Sequence, residues 1–472
     1  IASGGNFNTV VGDEAGTAIT TGDSNVIVGM VAGDALTTAS DNVAVGQGAL
    51  TADTLGSKTV AIGRQALTTQ NFTSATDTYN TAVGHNAGTT VTTGIQNTII
   101  GGLAGDAITT GNYNVSMGMY ALSQNTASNK NVGIGYAALS AFNVTTDADT
   151  YNVAVGSGAG GAVTTGIENT LIGGLAGDAL TDADYNVAIG KEALTTDTLG
   201  SNSVAIGRRA LFSQNFTTAT DTNNTAVGYE AGVLLTTGIN NTLIGDRTGD
   251  ALTDADYNIA IGQGALTSDT LGSRSVAIGN QTLAQQNFTT ATNSYNVAVG
   301  YAAGTTVTTG LQNTLIGGLA GDALTTGGAN VALGYDALGA DTAGNGNVAI
   351  GKNALLVQNT SGDIFNTAVG FAAGAAVTTG VENTLIGALA GDALTNADYN
   401  TALGYATLSA DTLGSRSTAI GYGTLINQNF TTATDSNNTT VGYYAGVAVT
   451  TGIRNTLIGS EAGDALTDAC GY

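Results

Sequence analysis

The sequence predicts an all-β fold: a β-solenoid (β-roll) of 26 coils. Three observations predict it. Glycine supplies 70 of 472 residues and proline none. A five-residue core, Asn-(Thr/Val)-Ala-(Val/Ile)-Gly, recurs 26 times. The copies keep a 17-17-17-21 residue spacing, with a single 19 between Gly351 and Gly370. Four units make a 72-residue super-repeat, present six times with two coils more, so residues 1–472 are expected to form a single repeat domain without a separate cap or tip.

A 17-residue unit is too short for the helix pairs of helical repeats, which take roughly 33–45 residues. Its apolar spacing is not 3.6, and Gly with β-branched residues disfavours helix. A short strand, a turn, a second short strand and a turn fit the length. The closing glycines, among them Gly84, Gly101, Gly156, Gly173, Gly228, Gly245, Gly300 and Gly317, are expected at corners where φ is positive or backbones approach closely. The lack of proline fits a ladder in which every rung donates a hydrogen bond. Asn opens 22 of the 26 units, for example Asn80, Asn97, Asn152, Asn169, Asn224, Asn241, Asn296 and Asn313. Stacked coils turn these into an Asn ladder along the axis. Thr59, Ser203, Ser275 and Ser417 replace it and keep a hydrogen-bonding group.

The second, third and fourth motif positions are nearly all apolar or Thr, as in Asn313-Thr314-Leu315-Ile316-Gly317. Side chains alternate across a strand, so such a strand needs cover on both faces. One face fills the coil. The other calls for sister chains, and the small central Ala is expected at a shared axis, with Leu171 and Leu315 as its larger members. An intertwined or side-by-side homotrimer forming a rod follows, about 125 Å long for 26 rungs at ~4.8 Å.

The motifs Ser203-Val204-Ala205-Ile206-Gly207 and Ser275-Val276-Ala277-Ile278-Gly279 resemble the head repeats of trimeric autotransporter adhesins, although those use a shorter coil. The longer unit, with Thr-Thr-Gly before the next Asn, resembles repeats of phage tail-fibre and bacterial surface-fibre proteins. The resemblance implies a left-handed trimeric β-roll. It also implies the shaft or receptor-contacting part of a fibre on a cell or virion surface, facing a host glycan or receptor. A filament subunit stacking head to tail is the alternative. Ala2-Ser3-Gly4-Gly5 begins almost in register and no cap domain closes the other end, which suits such stacking; a start at Ile1 rather than Met reads as a processed product or fragment.

Eleven Lys+Arg against 35 Asp+Glu give a net charge of −24, the opposite of a nucleic-acid footprint. No apolar run is long enough for a transmembrane helix, so no membrane insertion is expected. Catalysis is not expected either. His85 and Cys470 are the only His and Cys, and His85 has Ser157, Tyr229 and Tyr301 as its repeat equivalents. No cofactor is expected. Two acidic turns, Asp178, Asp182, Asp184 and Asp250, Asp254, Asp256, are weak Ca²⁺ candidates, because calcium takes carboxylates and turn carbonyls. Ice binding needs threonine on every rung, and the Thr-Thr-Gly pairs occur mainly once in four. The four-residue insertion carries Phe72, Phe216, Phe288 or Phe430. These are periodic loop contacts for a glycan, receptor or neighbouring fibre, or rings tucked over an adjacent coil; burial favours the second.

Overall fold

The structure, a computed structural model, describes residues 5–471. Ala2, Ser3 and Gly4, read above as part of an uncapped start, lie outside the described residues. The chain divides into two compact units, Ile1–Ile239 and Asn240–Tyr472. No helix occurs among the described residues, and each unit is a β-solenoid. The first holds thirteen three-residue strands, from Thr9–Val11 to Thr225–Val227; the second holds thirteen, from Thr242–Ile244 to Thr456–Ile458.

Within each unit successive strands pair in parallel, with motif position stacked on motif position. Val153, Ala154 and Val155 lie beside Thr170, Leu171 and Ile172, and these beside Val187, Ala188 and Ile189. The register survives the insertions, since Val204, Ala205 and Ile206 pair with Thr225, Ala226 and Val227. The extra residues therefore leave the ladder and bulge elsewhere in the coil.

Each strand is stopped by its closing glycine. At Gly173 φ is +137°, and a Cβ there would lie 2.5 Å from the carbonyl oxygen of Gly190 in the next coil. No other residue fits both the dihedral and the contact.

Among the described residues the expected second strand forms only beside the insertions. Gly200–Ser201 pairs with Thr220–Asp221, and the pair recurs at Gly56–Ser57, Gly272–Ser273, Gly344–Asn345 and Gly414–Ser415. Elsewhere the return path is turns, held by backbone bonds between coils such as Thr164 N–H to Thr181 C=O at 2.9 Å.

The central strand residue does not face a shared axis. Leu171, Leu315, Ala154 and Ala188 are fully buried within the single chain. The opposite wall of the coil explains why. Where the centre is Leu171, the facing positions are Gly160 and Gly177; added Cβ atoms there would come within 2.7 and 2.8 Å of its methyls. Where the centre is Ala188 or Ala205, the repeat position that Gly177 occupies after Leu171 holds Leu194 or Leu211, also fully buried. Small and large residues alternate across the interior, which fills it to close packing.

Candidate functional site

With the centre turned inward, the second and fourth strand positions form the outer face. They carry Thr/Val and Val/Ile in coil after coil, half-buried by their neighbours and still reaching solvent. Ile172 is 37% exposed, Ile316 36% and Leu333 43%. The result, in each unit, is a ribbon of β-branched side chains at the strand-to-strand spacing of ~4.8 Å. In the last six coils the outer column reads Thr367, Thr384, Thr401, Thr418, Thr439 and Thr456. Sequence reasoning looked for a contiguous threonine array in the Thr-Thr-Gly turns and missed this one, whose signal is motif position two.

The ladder asparagines bond along the axis as expected, by backbone N–H donors in most coils and by side-chain amides in some, as from Asn169 Nδ2 to Asn152 Oδ1 at 3.2 Å. The Asn97 backbone N–H donates to Asn80 Oδ1 at 2.9 Å, and Asn169 N–H to Asn152 Oδ1 at 2.9 Å. The side-chain amide then spans its own coil: Asn80 Nδ2 donates to Gly94 C=O at 2.7 Å, Asn224 Nδ2 to Gly238 C=O at 2.7 Å, and Asn241 Nδ2 to Ala255 C=O at 2.7 Å. Asn296 and Asn313 repeat the pattern on Gly310 and Gly327. The ladder thus ties coil to coil and strand to turn at once.

The Phe residues are structural. Phe72, Phe216, Phe288 and Phe430 are 6–7% exposed, so their rings are not offered to a ligand at a loop tip. Each sits beside a polar centre that sequence reasoning did not find. Asp53, Asp197, Asp269, Asp341 and Asp411 are fully buried, as are Gln70, Gln214, Gln286, Gln358 and Gln428. In the first copy Gln70 Nε2 donates to Asp53 Oδ2 at 2.6 Å, and the backbone N–H groups of Gly56 and Phe72 donate to Oδ1 at 3.0 and 3.2 Å. Gln70 Nε2 also reaches Thr59 Oγ1, and Asn80 Nδ2 donates back to Gln70 Oε1. In four of the five copies the ladder residue here is Thr or Ser, whose hydroxyl accepts from the Gln amide; in the fifth, Asn347 and Gln358 both donate to Asp341. The available signal was the constant 17-residue separation of Asp and Gln.

The acidic turns do not converge. Asp182 accepts from Thr165 Oγ1 at 2.6 Å and Asp184 from the Ile167 N–H at 2.7 Å, both in the preceding coil. Asp250 accepts from Thr267 Oγ1 in the following coil. Asp178 has one buried oxygen without a partner, while Asp254 and Asp256 are each engaged in interactions of their own. No group of three or more His, Cys, Asp or Glu that could hold a metal occurs among the described residues. Carboxylates close in sequence are separated because stacking assigns each to a different neighbour.

His85 is exposed, with Nε2 3.1 Å from an Arg64 guanidinium nitrogen. Cys470 is free and exposed. The few cations form small surface clusters. Lys58 donates to Asp77 at 2.6 Å and lies 5.2 Å from the Tyr79 ring centroid, and the hydrogen bond it donates to Asp77 holds its ammonium up at about 12. Lys130 repeats the arrangement with Asp149 and Tyr151.

Burial pushes the carboxyls of Asp53, Asp341 and Asp411 above their ordinary 3.8, against the opposing hydrogen bonds from glutamine and backbone. Burial also raises Asp34, Asp106, Asp178, Asp322 and Asp392. A carboxyl with a raised folded value binds more protons folded than unfolded. Stability is therefore fully present below the unfolded value of 3.8 and lost as pH rises through the folded one. Asp149, lowered by Lys130, acts in the opposite sense but is fully exposed. The midpoint of thermal unfolding followed by circular dichroism is expected to rise by several degrees on acidification from neutral toward pH ~4.5. A steady fall over that range would mean that the hydrogen bonds to the carboxylates outweigh burial.

A scan against protein-family models finds no match to the chain, and a search of curated proteins finds none either.

Proposed function

We propose that the chain is a structural and adhesive fibre module. Copies associate side by side, as a homotrimer, through the outer strand face, and form the shaft or receptor-contacting part of a fibre on a cell or virion surface. The observation that carries this reading is the outer ribbon. The interior is already filled by Leu171, Leu194 and their equivalents, so Val155, Ile172, Ile189 and Ile206 are not needed for the core of their own chain. An apolar surface that continues over many coils is the mark of an interaction site. The motif from Ser203 to Gly207, similar to adhesin-head repeats, supports the same arrangement, and the net charge of −24 favours solubility of a long assembly.

Light scattering on the purified chain is expected to return three chain masses. Ile172→Glu combined with Ile206→Glu is expected to return one, with the β-sheet circular dichroism retained. A monomeric parent chain would overturn the reading. Filaments of indefinite length in electron microscopy would replace it with head-to-tail stacking.

A further inference from the structure

The second unit contains a concave open groove of about 320 Å³ that none of the features above explains. It lies just past the corner glycines, where the next residue of each coil points to solvent. Over four successive coils these residues are Asp246, Gln263, Asn280 and Tyr301, and all four line the groove. The column runs ~14 Å at the spacing of stacked strands. Its floor is Gly264, one position further along, between Arg247 and Gln281 in the adjoining coils.

Gly264 is what opens it. Three other coils have glycine at this left-handed position, and in two of them, at Gly158 and Gly423, a neighbouring side chain leans over the gap. An added Cβ would meet the Tyr444 ring at 2.5 Å from Gly423, Leu175 at 2.9 Å from Gly158, and Gln65 at 3.6 Å from Gly48. From Gly264 the nearest atom is Gln281 Cγ at 4.0 Å. The notch is a missing side chain that nothing has refilled.

The lining is polar and pre-oriented. Asn280 Nδ2 donates to Gln263 Oε1 at 3.2 Å, and Gln263 Nε2 points to Asp246 Oδ2 at 3.4 Å. A side-chain amide carries two N–H donors and a carbonyl, and each of these bonds uses one donor. The wall therefore offers donors and acceptors side by side, which is what paired hydroxyls on adjacent ring carbons require. Tyr301, 60% exposed at the end of the column, adds an aromatic face for the C–H side of a sugar ring. One carboxylate and one guanidinium leave the lining without a net charge, and a chain of net charge −24 disfavours anions. Apart from Gly264 and the Tyr301 ring every lining residue is polar or charged, which disfavours an apolar ligand. The volume is within the range of small-molecule sites.

We propose that this groove binds a neutral oligosaccharide, with Asp246, Gln263 and Asn280 holding ring hydroxyls, Tyr301 stacking on a ring and Gly264 giving room. The proposal deepens the receptor-contacting reading and rests on it for biological use, though not for its chemistry.

Saturation-transfer NMR on the full chain, with oligosaccharides of glucose, galactose, mannose and N-acetylglucosamine, is the test. Sulfated and sialylated glycans form the second arm. At least one neutral oligosaccharide is expected to bind. Gly264→Gln, which installs the residue that Gln65 and Gln281 already place at this dihedral, is expected to weaken binding at least tenfold, as is Tyr301→Ala. Gly48→Gln in the first unit is expected to leave it unchanged. Binding of none of the neutral sugars, binding of anionic glycans alone, or affinity that survives both groove variants would overturn the proposal. Light scattering on the same samples reads self-association separately, so a failure here and a failure of the fibre reading are distinguishable.

Discussion

Gly173→Ala is expected to destabilise the first unit by about 4 kcal/mol, at the top of the range for a single substitution. Two costs combine. The backbone at φ +137° is in a region that L-residues avoid, which alone costs on the order of 1–3 kcal/mol. The new methyl would also lie 2.5 Å from the Gly190 carbonyl oxygen, and that oxygen belongs to backbone locked in the parallel ladder, where Gly190 N–H donates to Ile172 C=O at 2.7 Å. Relief requires the coils to separate, which would break the neighbouring rungs. Gly174 is the control in the same coil. Its φ is ordinary and the nearest atom to an added Cβ is 4.0 Å away, so Gly174→Ala is expected within about 0.5 kcal/mol of the parent. Guanidinium unfolding gives the energies, and hydrogen exchange across residues 153–190 shows whether the loss is local. Equal effects from the two variants would refute the corner argument.

Asp53→Ala is expected to cost on the order of 3–5 kcal/mol, because it strands three buried donors, the Gly56 and Phe72 N–H groups and Gln70 Nε2. Gln70→Phe alone is expected to cost a comparable amount by leaving the carboxylate without its amide. The chain itself contains a compensated form of this change. In the second super-repeat, 72 residues on, Asn125 stands in place of Asp53, Asn131 of Thr59, Phe142 of Gln70 and Val144 of Phe72. Asn125, Asn131 and Phe142 are fully buried there, so the same coil pair closes over an aromatic ring with no carboxylate inside. Installing these four replacements together with Gly56→Ser, whose counterpart Ser128 donates to Asn125 Oδ1 and accepts from Asn131 Nδ2, is therefore expected to recover most of the loss caused by Gln70→Phe. Non-additivity of this kind is what contacting residues show. A combined variant less stable than the single one would show that the two coil pairs are not interchangeable.

These cases mark what could be read from the residues alone. The corner glycines and the Asn column were legible because one backbone geometry repeats at each coil and admits few residue types. The burial of Phe216 was legible because an aromatic ring gains more inside than outside. The direction of the central strand residue was not, since a small Ala suits a chain axis and a coil interior equally. Only the residues across the coil, Gly177 opposite Leu171 or Leu194 near Ala188, decide between them, and they belong to a turn whose path three-residue strands do not announce. The Asp53–Gln70 centre was missed for a related reason. Asp and Gln on a turn look solvated, and nothing local marks them as inward. Their shared fate at Asn125 and Phe142 was in the sequence, but as a correlation between coils and not as a motif. The acidic turns separate in space: Asp182 and Asp184 are neighbours along the chain and bond to separate residues of the preceding coil.

The Asp–Gln centre also sets where such a chain can be shortened or lengthened. Corner contacts and the parallel ladder are alike in every coil, so by themselves they would tolerate insertion or deletion of any coil. Asp53 and Gln70 lie in consecutive coils, and the Gln70 amide donates to the Asp53 carboxylate across the boundary between them. A cut between them leaves a buried carboxylate on one side and a buried amide on the other, whereas a cut between the coils of Val91 and Ile108 passes through apolar side chains and the common Asn ladder. Duplication or loss of genetic segments is thus constrained to breakpoints outside the pair, and the four-coil block is the copying unit that preserves every partner.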